Sequence, residues 1–417
     1  MKRYCTDIFV IFICCVSIFC GRNVFSQSIT TASIYGMVAD KAGLGLPGAN
    51  VAATHMPSGT TYGISTRVDG KFNLHGLRVG GPYSIKVTYI GYKPQEEKEI
   101  TLLLGQNLRL DFTLTEEAVQ VGEVQIVGER NAIMSASKMG ASMSITRAQL
   151  DYIPTVSRSF QDALKLSPYF VGNNANGRNN RFNNIKIDGA AFNDLFGLAG
   201  NGLPGGQTNT IPISVDAIQE FQAVIAPFDV RLSGFTGGGI NAITRSGTNT
   251  FTGSGYYYGR NQNWAGKSPD VNQTRLANFG ENTGGFSVGG PVMENKLYFF
   301  VNGEIFKRTA PLTRSFDAAA NGTNVYKLAM DSVNKFVNIL SNKYGYDPGS
   351  FTDITYGRQN AKIFARLDFN LSDQHRLTLR NNYTDGWDDN TPSGSGIFPA
   401  NELYKFMDVT NSTVLQV

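Results

Sequence analysis

The sequence predicts a mainly β protein in three parts: an N-terminal β-sandwich, a small α+β domain, and the first strands of a transmembrane antiparallel β-barrel. Three observations predict it. Short β-prone runs broken by Gly, Pro and Asp turns fill residues 30 to about 116. Two short helical patterns and three strand patterns follow to about 246. Beyond 250, runs alternate apolar against polar residues, and their connections alternate short and long. Composition agrees: 46 glycines and 11% aromatics sit beside only 17% charged residues, which favours strands and tight turns. A net charge of +4 without a Lys/Arg run gives no case for nucleic acid.

Residues 1–26 read as an export signal. Lys2 and Arg3 precede the apolar run Ile8 to Phe19, which is too short for a bilayer of ~30 Å hydrocarbon. "VFS" at Val24–Ser26 places cleavage before Gln27. The competing reading is a lipoprotein signal using Cys20, against which the bulky Phe19 counts. All four cysteines, Cys5, Cys14, Cys15 and Cys20, lie here. Cleavage at Gln27 leaves a mature chain without thiol catalysis, cysteine–zinc sites or disulfides. No later apolar run is long enough for a membrane helix, so the product is secreted, periplasmic or an outer-membrane barrel.

Residues 27–116 carry short strands at regular spacing, the pattern of a sandwich. Asp69-Gly70, between "GISTR" and "KFNL", signals a type I′ hairpin, and Pro47-Gly48 a turn. Gly36, Val38, Asp40, Pro47-Gly48-Ala49, Val51, Thr66, Asp69-Gly70, Phe72, Leu74, Pro82-Tyr83, Val87 and Gly91-Tyr92 resemble the carboxypeptidase regulatory-like domain. That resemblance implies either a docking or signalling appendage or a module that only adds stability, and no peptidase chemistry.

In the connector, 117–130, Glu123-Val124-Gln125-Ile126-Val127 is a short apolar strand between acidic flanks. Such a segment can add to another protein's sheet edge. It resembles the TonB box of TonB-dependent receptors; the alternative is an ordinary linker strand.

Residues 131–246 begin with two expected short helices, "TRAQLDYIP" and "SRSFQDALKLSP". In the second, Ser159 with Asp162 resembles a capping box, Phe160, Ala163 and Leu164 share a face, and Pro168 ends it. Strands are expected at "NNIKIDG", "IQEFQAVIA" and "GINAITR". The segments Ile187-Asp188-Gly189, Pro204-Gly205-Gly206, Pro212-Ile213-Ser214, Asp216-Ala217-Ile218, Ala226 to Arg231 and Gly237-Gly238-Gly239-Ile240-Asn241 closely resemble the plug of TonB-dependent receptors, best the Oar-like subgroup. Glycines 237–239 are expected where a strand passes too close to a neighbour for a side chain. A phosphate loop is excluded, because no Gly-Lys-Ser/Thr follows them at the needed spacing.

Residues 247–417 support about six barrel strands. Ile363, Ala365, Leu367, Phe369 and Leu371 alternate with Arg366, Asp368 and Asn370. Leu377 and Leu379 oppose Arg376, Thr378 and Arg380, while Leu297, Phe299, Val301 and Ile305 oppose Asn302 and Glu304. Charges facing one way and aliphatics the other suit a strand between lipid and a polar lumen. "MENK" and "SDQH" are the short turns; about 308–361 and 385–402 are long connections. The first of these holds an amphipathic helix including Val325, Leu328, Ala329, Phe336, Val337 and Leu340. Six strands cannot enclose a plug, which needs roughly 22, and "NSTVLQV" lacks a terminal aromatic. The chain is therefore expected to be the N-terminal part of a longer protein.

The resemblance implies TonB-dependent, proton-driven transport across the Gram-negative outer membrane, with the sandwich in the periplasm. Its implied partners are TonB with its inner-membrane energising complex, outer-membrane lipid, and a surface lipoprotein. The ligand is not readable from the sequence; the resemblance implies an iron chelate, glycan, peptide or protein. Arg178, Arg181 and Asn183 in "NNANGRNNRFNN" are the candidate ligand-facing plug loop; the alternative is a plain solvated loop. "DGWDDN" (385–390) clusters carboxylates without the full spacing of a calcium loop. The rival function is a surface adhesion or structural protein. No cofactor or metal site is expected, and catalysis is not: His55, His75 and His375 lack metal spacing and no nucleophile motif is present.

Overall fold

The computed structural model describes residues 30–117, 141–153, 155, 158–194, 196–227, 232–267, 278–311, 314–315, 324–325, 330–351, 354–372, 375–390 and 399–416. The candidate TonB box at 123–127 lies outside them.

The first body is a sandwich. One sheet joins β1 (Ala32–Ala39), β4 (Lys71–Leu77), β7 (Asn107–Arg109) and β8 (Phe112–Thr113). The other has the order β3-β2-β5-β6, from β2 (Asn50–His55), β3 (Thr60–Ser65), β5 (Gly80–Thr88) and β6 (Gln95–Leu102). Alternate residues turn inward, and Ile34, Val38, Val51, Phe72, Leu77, Tyr83, Ile85 and Phe112 form the core. The expected type I′ hairpin at Asp69-Gly70 is a different turn. Gly70 N–H donates to Arg67 O, and Gly70 alone of the two has positive φ (74°). The turn carries the chain from β3 in one sheet to β4 in the other, so no hairpin register constrains it.

The second body has a five-stranded sheet, order β13-β12-β15-β14-β9. Its strands are β9 (Ala141–Thr146), β12 (Asn184–Ile187), β13 (Ala190–Ala191), β14 (Ile218–Ile225) and β15 (Gly239–Thr244); β10 (Phe170–Val171) and β11 (Asn174–Ala175) pair separately. Helix α1 (Arg147–Tyr152) starts where the Gln149 side chain accepts the Thr146 N–H (3.0 Å). The second expected helix is a 3₁₀ helix, Phe160–Leu166. Ser159 Oγ accepts the Gln161 N–H, while Asp162 accepts from Lys165 instead of closing a capping box.

Glycines 237–239 behave as expected. A Cβ on Gly237 would lie 2.4 Å from Asn183 Oδ1, and one on Gly238 would lie 2.8 Å from the Phe170 ring. Close approach selects these glycines.

The third body is one six-stranded antiparallel sheet in sequence order. It runs β16 (Thr252–Asn261), β17 (Gly280–Met293), β18 (Leu297–Pro311), β21 (Thr355–Asn370), β22 (Arg376–Asn390) and β23 (Tyr404–Gln416). Its first and last strands are not paired with each other. Between β18 and β21 lie β19 (Arg314–Ser315), β20 (Asn324–Val325) and α2 (Met330–Tyr344). Short connections at 294–296 and 371–375 mark one end of the sheet, and long ones mark the other. Three expectations shift. β18 and β21 extend into the predicted 308–361 loop, and "DGWDDN" is the end of β22. Its alternation simply continues, with Thr384, Gly386 and Asp388 buried on the inner face. The predicted helix is described over Met330–Tyr344; Val325 lies in β20, and Leu328 and Ala329 lie outside the described residues.

Candidate functional site

The concave face of the six-stranded sheet packs on the α+β domain. Inward positions on β18 are Tyr298, Phe300, Asn302 and Glu304; on β21 they are Asn360, Lys362, Phe364, Arg366 and Asp368. The outer face exposes Ile305, Ile363, Leu367 and Leu379. This is the division the alternation predicts for a wall between lipid and a polar interior.

At the short-turn end, the inner wall grips Asp188. This residue follows β12 with a positive φ of 45°, and its carboxylate accepts from Thr244 N (2.8 Å) and Thr244 Oγ1 (2.6 Å). Arg380 reaches it from β22 at 3.1 Å and also donates to Ile187 O (2.5 Å). Arg366 donates to Thr244 O and Oγ1, and holds Asp368 through two bonds of 2.8 and 2.9 Å. Thr378 Oγ1 completes Asp368. Buried charges persist only when paired and hydrogen-bonded in this way.

Further along the bore, Glu304 accepts from Lys362 Nζ (2.6 Å), Tyr256 OH (2.7 Å) and Ser214 Oγ (3.1 Å). Arg158 of the α+β domain approaches the same carboxylate at 3.5 Å and pairs with Asp216. Its guanidinium lies 4.0 Å from the Tyr256 ring centroid and 4.8 Å from that of Tyr258. Burial works against the Arg158 charge, but Asp216, Tyr256 and Glu304 outweigh it and hold its pKa above the ordinary arginine value. Asn382 Nδ2 and Thr384 Oγ1 both donate to Pro212 O at 2.8 Å. Nearer the long-loop end, Asn209 donates to Asp388, which also pairs with Arg358. Two aromatics add an apolar contribution: Phe300 and Phe364 join the core of the α+β domain.

A cavity of about 330 Å³ opens at the long-loop end, between residues 193–208 and the start of β23. Phe196, Leu198, Gln207, Phe406, Met407 and Asp408 are among its lining residues. The loop holding the candidate ligand contacts adjoins it, since the Asn180 side chain donates to Gly200 O. Arg178 and Arg181 are exposed there. Asn183 is not: it is buried, its Oδ1 accepts the Gly238 N–H (2.9 Å) and its Nδ2 donates to Asn173 O (2.8 Å). It clamps the glycine strand instead of facing outward. The pairing of Asp188 with Arg366 and Arg380, and of Glu304 with Lys362 and Arg158, is not among the features expected from the sequence. The available signal was the charges on the inward positions of the alternating strands.

Residues 33–115 match the carboxypeptidase regulatory-like domain, and residues 243–325 match an outer-membrane β-barrel domain. The TonB-dependent transporter Oar of Myxococcus xanthus is 28% identical over 308 residues, 67% of this chain and 27% of that relative. The chain thus spans about a quarter of the relative's length. Among solved structures, the siderophore receptor PirA of Acinetobacter baumannii aligns with 61% of this chain and 32% of its own, at 19% identity and a TM-score of 0.38. The outer-membrane transporter YddB of Escherichia coli aligns with 60% of this chain and 34% of its own, at 13% identity and a TM-score of 0.40. The chain is a homologue of the TonB-dependent transporter Oar that places a carboxypeptidase regulatory-like domain ahead of outer-membrane β-barrel strands, and its place is the Gram-negative outer membrane.

Proposed function

We infer that the chain serves TonB-dependent, proton-motive-force-driven transport of a ligand across the outer membrane, with the α+β domain as the movable plug. One observation carries this reading. The plug is seated on the wall by discrete ion pairs and hydrogen bonds at three levels of the bore, from Asp188 through Pro212 and Glu304 to Asp388. Such pairs can be exchanged for water one by one when the plug is pulled, since hydrogen bonds to protein and to water nearly balance. A seam of continuous apolar contact would resist that.

In this reading the sandwich is periplasmic, and the segment Glu123-Val124-Gln125-Ile126-Val127 pairs with TonB by strand addition. The ligand binds at the long-loop end, at the cavity and on the exposed Arg178 and Arg181 of the loop that Asn180 ties to Gly200. Two guanidinium groups favour anionic or hydroxyl-rich ligands such as iron chelates, glycans or peptides. Outer-membrane lipid surrounds the barrel, and a surface lipoprotein meets the long loops.

The test is a pull-down of the chain with the purified periplasmic domain of TonB, alongside uptake by intact cells across candidate ligands. Ile126→Pro removes a backbone donor from the proposed paired strand. It should abolish TonB capture and uptake while leaving ligand binding at the cell surface. Capture and uptake that survive this substitution would reject the reading.

A further inference from the structure

The sandwich has two ends. One carries the turns 40–49, 66–70 and 89–94, and the chain leaves it there, with Glu117 N–H bonded to Gly91 O. The other carries the turns 56–59, 78–79 and 103–106. This second end meets both other bodies. Towards the barrel rim, Tyr298 OH donates to Ser58 O (2.5 Å), Asn249 N to Pro57 O (2.9 Å), and Asn370 Nδ2 to Thr60 Oγ1 (3.2 Å). Towards the plug, Leu104 N donates to Glu220 Oε1 (2.9 Å) and Gln222 Nε2 to Leu104 O (3.3 Å). Leu104 also packs with Val79 on Ile243 and Leu232.

Arg78 sits at the centre of this contact. Its backbone carbonyl is fixed from within the sandwich by Tyr83 OH (2.8 Å). Its side chain turns the other way. It lies over the Tyr298 ring at 5.9 Å, donates to Ser246 Oγ (3.2 Å) and stands 3.6 Å from Asp368, and it is only 7% exposed. A charged side chain on a short turn has no reason to be desolvated by its own domain. Here its aromatic, hydroxyl and carboxylate partners come from the plug–barrel unit, and Asp368 is also the partner of Arg366, which holds Thr244 of the plug.

We propose that the sandwich is a latch: docked end-on by Arg78, it caps the short-turn end of the bore and pins plug strands β14 and β15 to the barrel wall, so that the plug cannot leave until this end lifts. A single rigid end holds two bodies that must separate for a path to open. The latch therefore adds to the resistance of the plug–wall pairs and also obstructs the exit. The docking rests on the contacts above; only its consequence rests on the transport reading.

The test needs neither ligand nor TonB. Thr60→Cys with Asn370→Cys places two thiols across the interface, in a chain whose native cysteines all lie at or before residue 20. Copper-phenanthroline oxidation of the full chain in native membranes should give an intramolecular cross-link, read as a mobility shift on a non-reducing gel. Potassium chloride conductance in planar bilayers under rising urea then reports loosening of the plug. The oxidised pair should stay closed at a urea concentration where the reduced pair conducts. Arg78→Ala should conduct at lower urea than the unmodified chain, and Arg78→Lys should fall between them. Failure to cross-link, or equal opening of the oxidised and reduced pairs, overturns the latch and leaves the transport reading untouched. Conversely, loss of the TonB interaction would not affect these readouts.

Discussion

The sandwich and the plug are both small β-rich bodies, yet they finish their cores differently. The sandwich core draws, among the described residues, only on positions between Ala32 and Leu114, all from its own strands and turns. The plug core includes Phe300 and Phe364, which belong to barrel strands β18 and β21. The plug also buries many more charged and amide side chains, among them Asp188, Asp216, Glu220, Asn183 and Asn241. A body that closes on itself is held mainly by apolar burial. A body seated against a wall leaves part of its core, and its main ion pairs, on that wall.

The most damaging break in this comparison is Asp188→Ala. It strips Arg380 and Arg366 of a buried partner and leaves the Thr244 N–H unsatisfied. Removing one member of a buried pair costs about 3–5 kcal/mol. Amide exchange should accelerate across 184–187 and 239–244, while the sandwich strands keep their protection.

A second test exchanges cores. Phe364→Ala should cost about 3–5 kcal/mol and Leu77→Ala about 2–5 kcal/mol, both through cavity formation. The first substitution lies in a barrel strand, yet it should raise the protease sensitivity of the plug. The second should loosen the sandwich alone. If Phe364→Ala left the plug unaffected, the contrast between a closed core and a shared one would fall.

The outer face sharpens the contrast from the other side. Ile363 is 55% exposed, midway along β21, and flanked by buried Lys362 and Phe364. Ile363→Arg should destabilise the chain in lipid by about 2–4 kcal/mol, as for a cation at the bilayer midplane. Loss of assembled chain from the outer-membrane fraction measures it. The same charge already stands one face away, as Lys362, without penalty because Glu304 pairs with it.

The period-two pattern made this wall legible, because it assigns a face to every residue of a strand. It placed Arg366, Asp368 and Arg380 on the polar side. Their partners were not legible, since Asp188 and Thr244 arrive from a different body through tertiary packing. Turn chemistry misled in two places for one reason. Asp69-Gly70 and "DGWDDN" contain residues that favour turns, but turn propensity does not say which sheets a turn joins. Nor does it say that a polar inner wall accepts Asp and Gly within a strand. Asn183 shows the reverse error: a polar residue in an Asn-rich run read as exposed, although its amide is what holds the glycine strand. Arg78 gave no signal at all, since one arginine on a turn looks solvated until the body beneath it is known.

The smallest effect concerns pH and joins the two bodies. His55 is buried at the docked end of the sandwich, its Nδ1 2.7 Å from Ser58 Oγ and its ring 4.9 Å from that of Tyr83. Burial first, then the charges of Arg78 and Arg376, lower its pKa from 6.5 to about 3. The folded chain keeps this ring neutral, while the unfolded chain protonates it below its ordinary pKa. Stability linked to His55 is therefore complete above that value and is lost as the pH falls towards about 3. At about pH 5 the loss amounts to about 2 kcal/mol, set by the titration of the unfolded chain alone. Protease resistance of residues 30–117 in membranes should drop between about pH 7 and pH 5, and His55→Gln should flatten that drop. The arginine contributions give the comparison its last edge, because Arg376 belongs to the barrel rim and reaches His55 only when the sandwich is docked. Arg78→Ala should then raise the pKa of the folded ring twice over, by removing its own charge and by moving the sandwich away from Arg376, so that the loss ends at a higher pH while the drop between about pH 7 and pH 5 keeps its size. A pH profile unchanged by Arg78→Ala would show that the sandwich closes even its charged end without help from the wall.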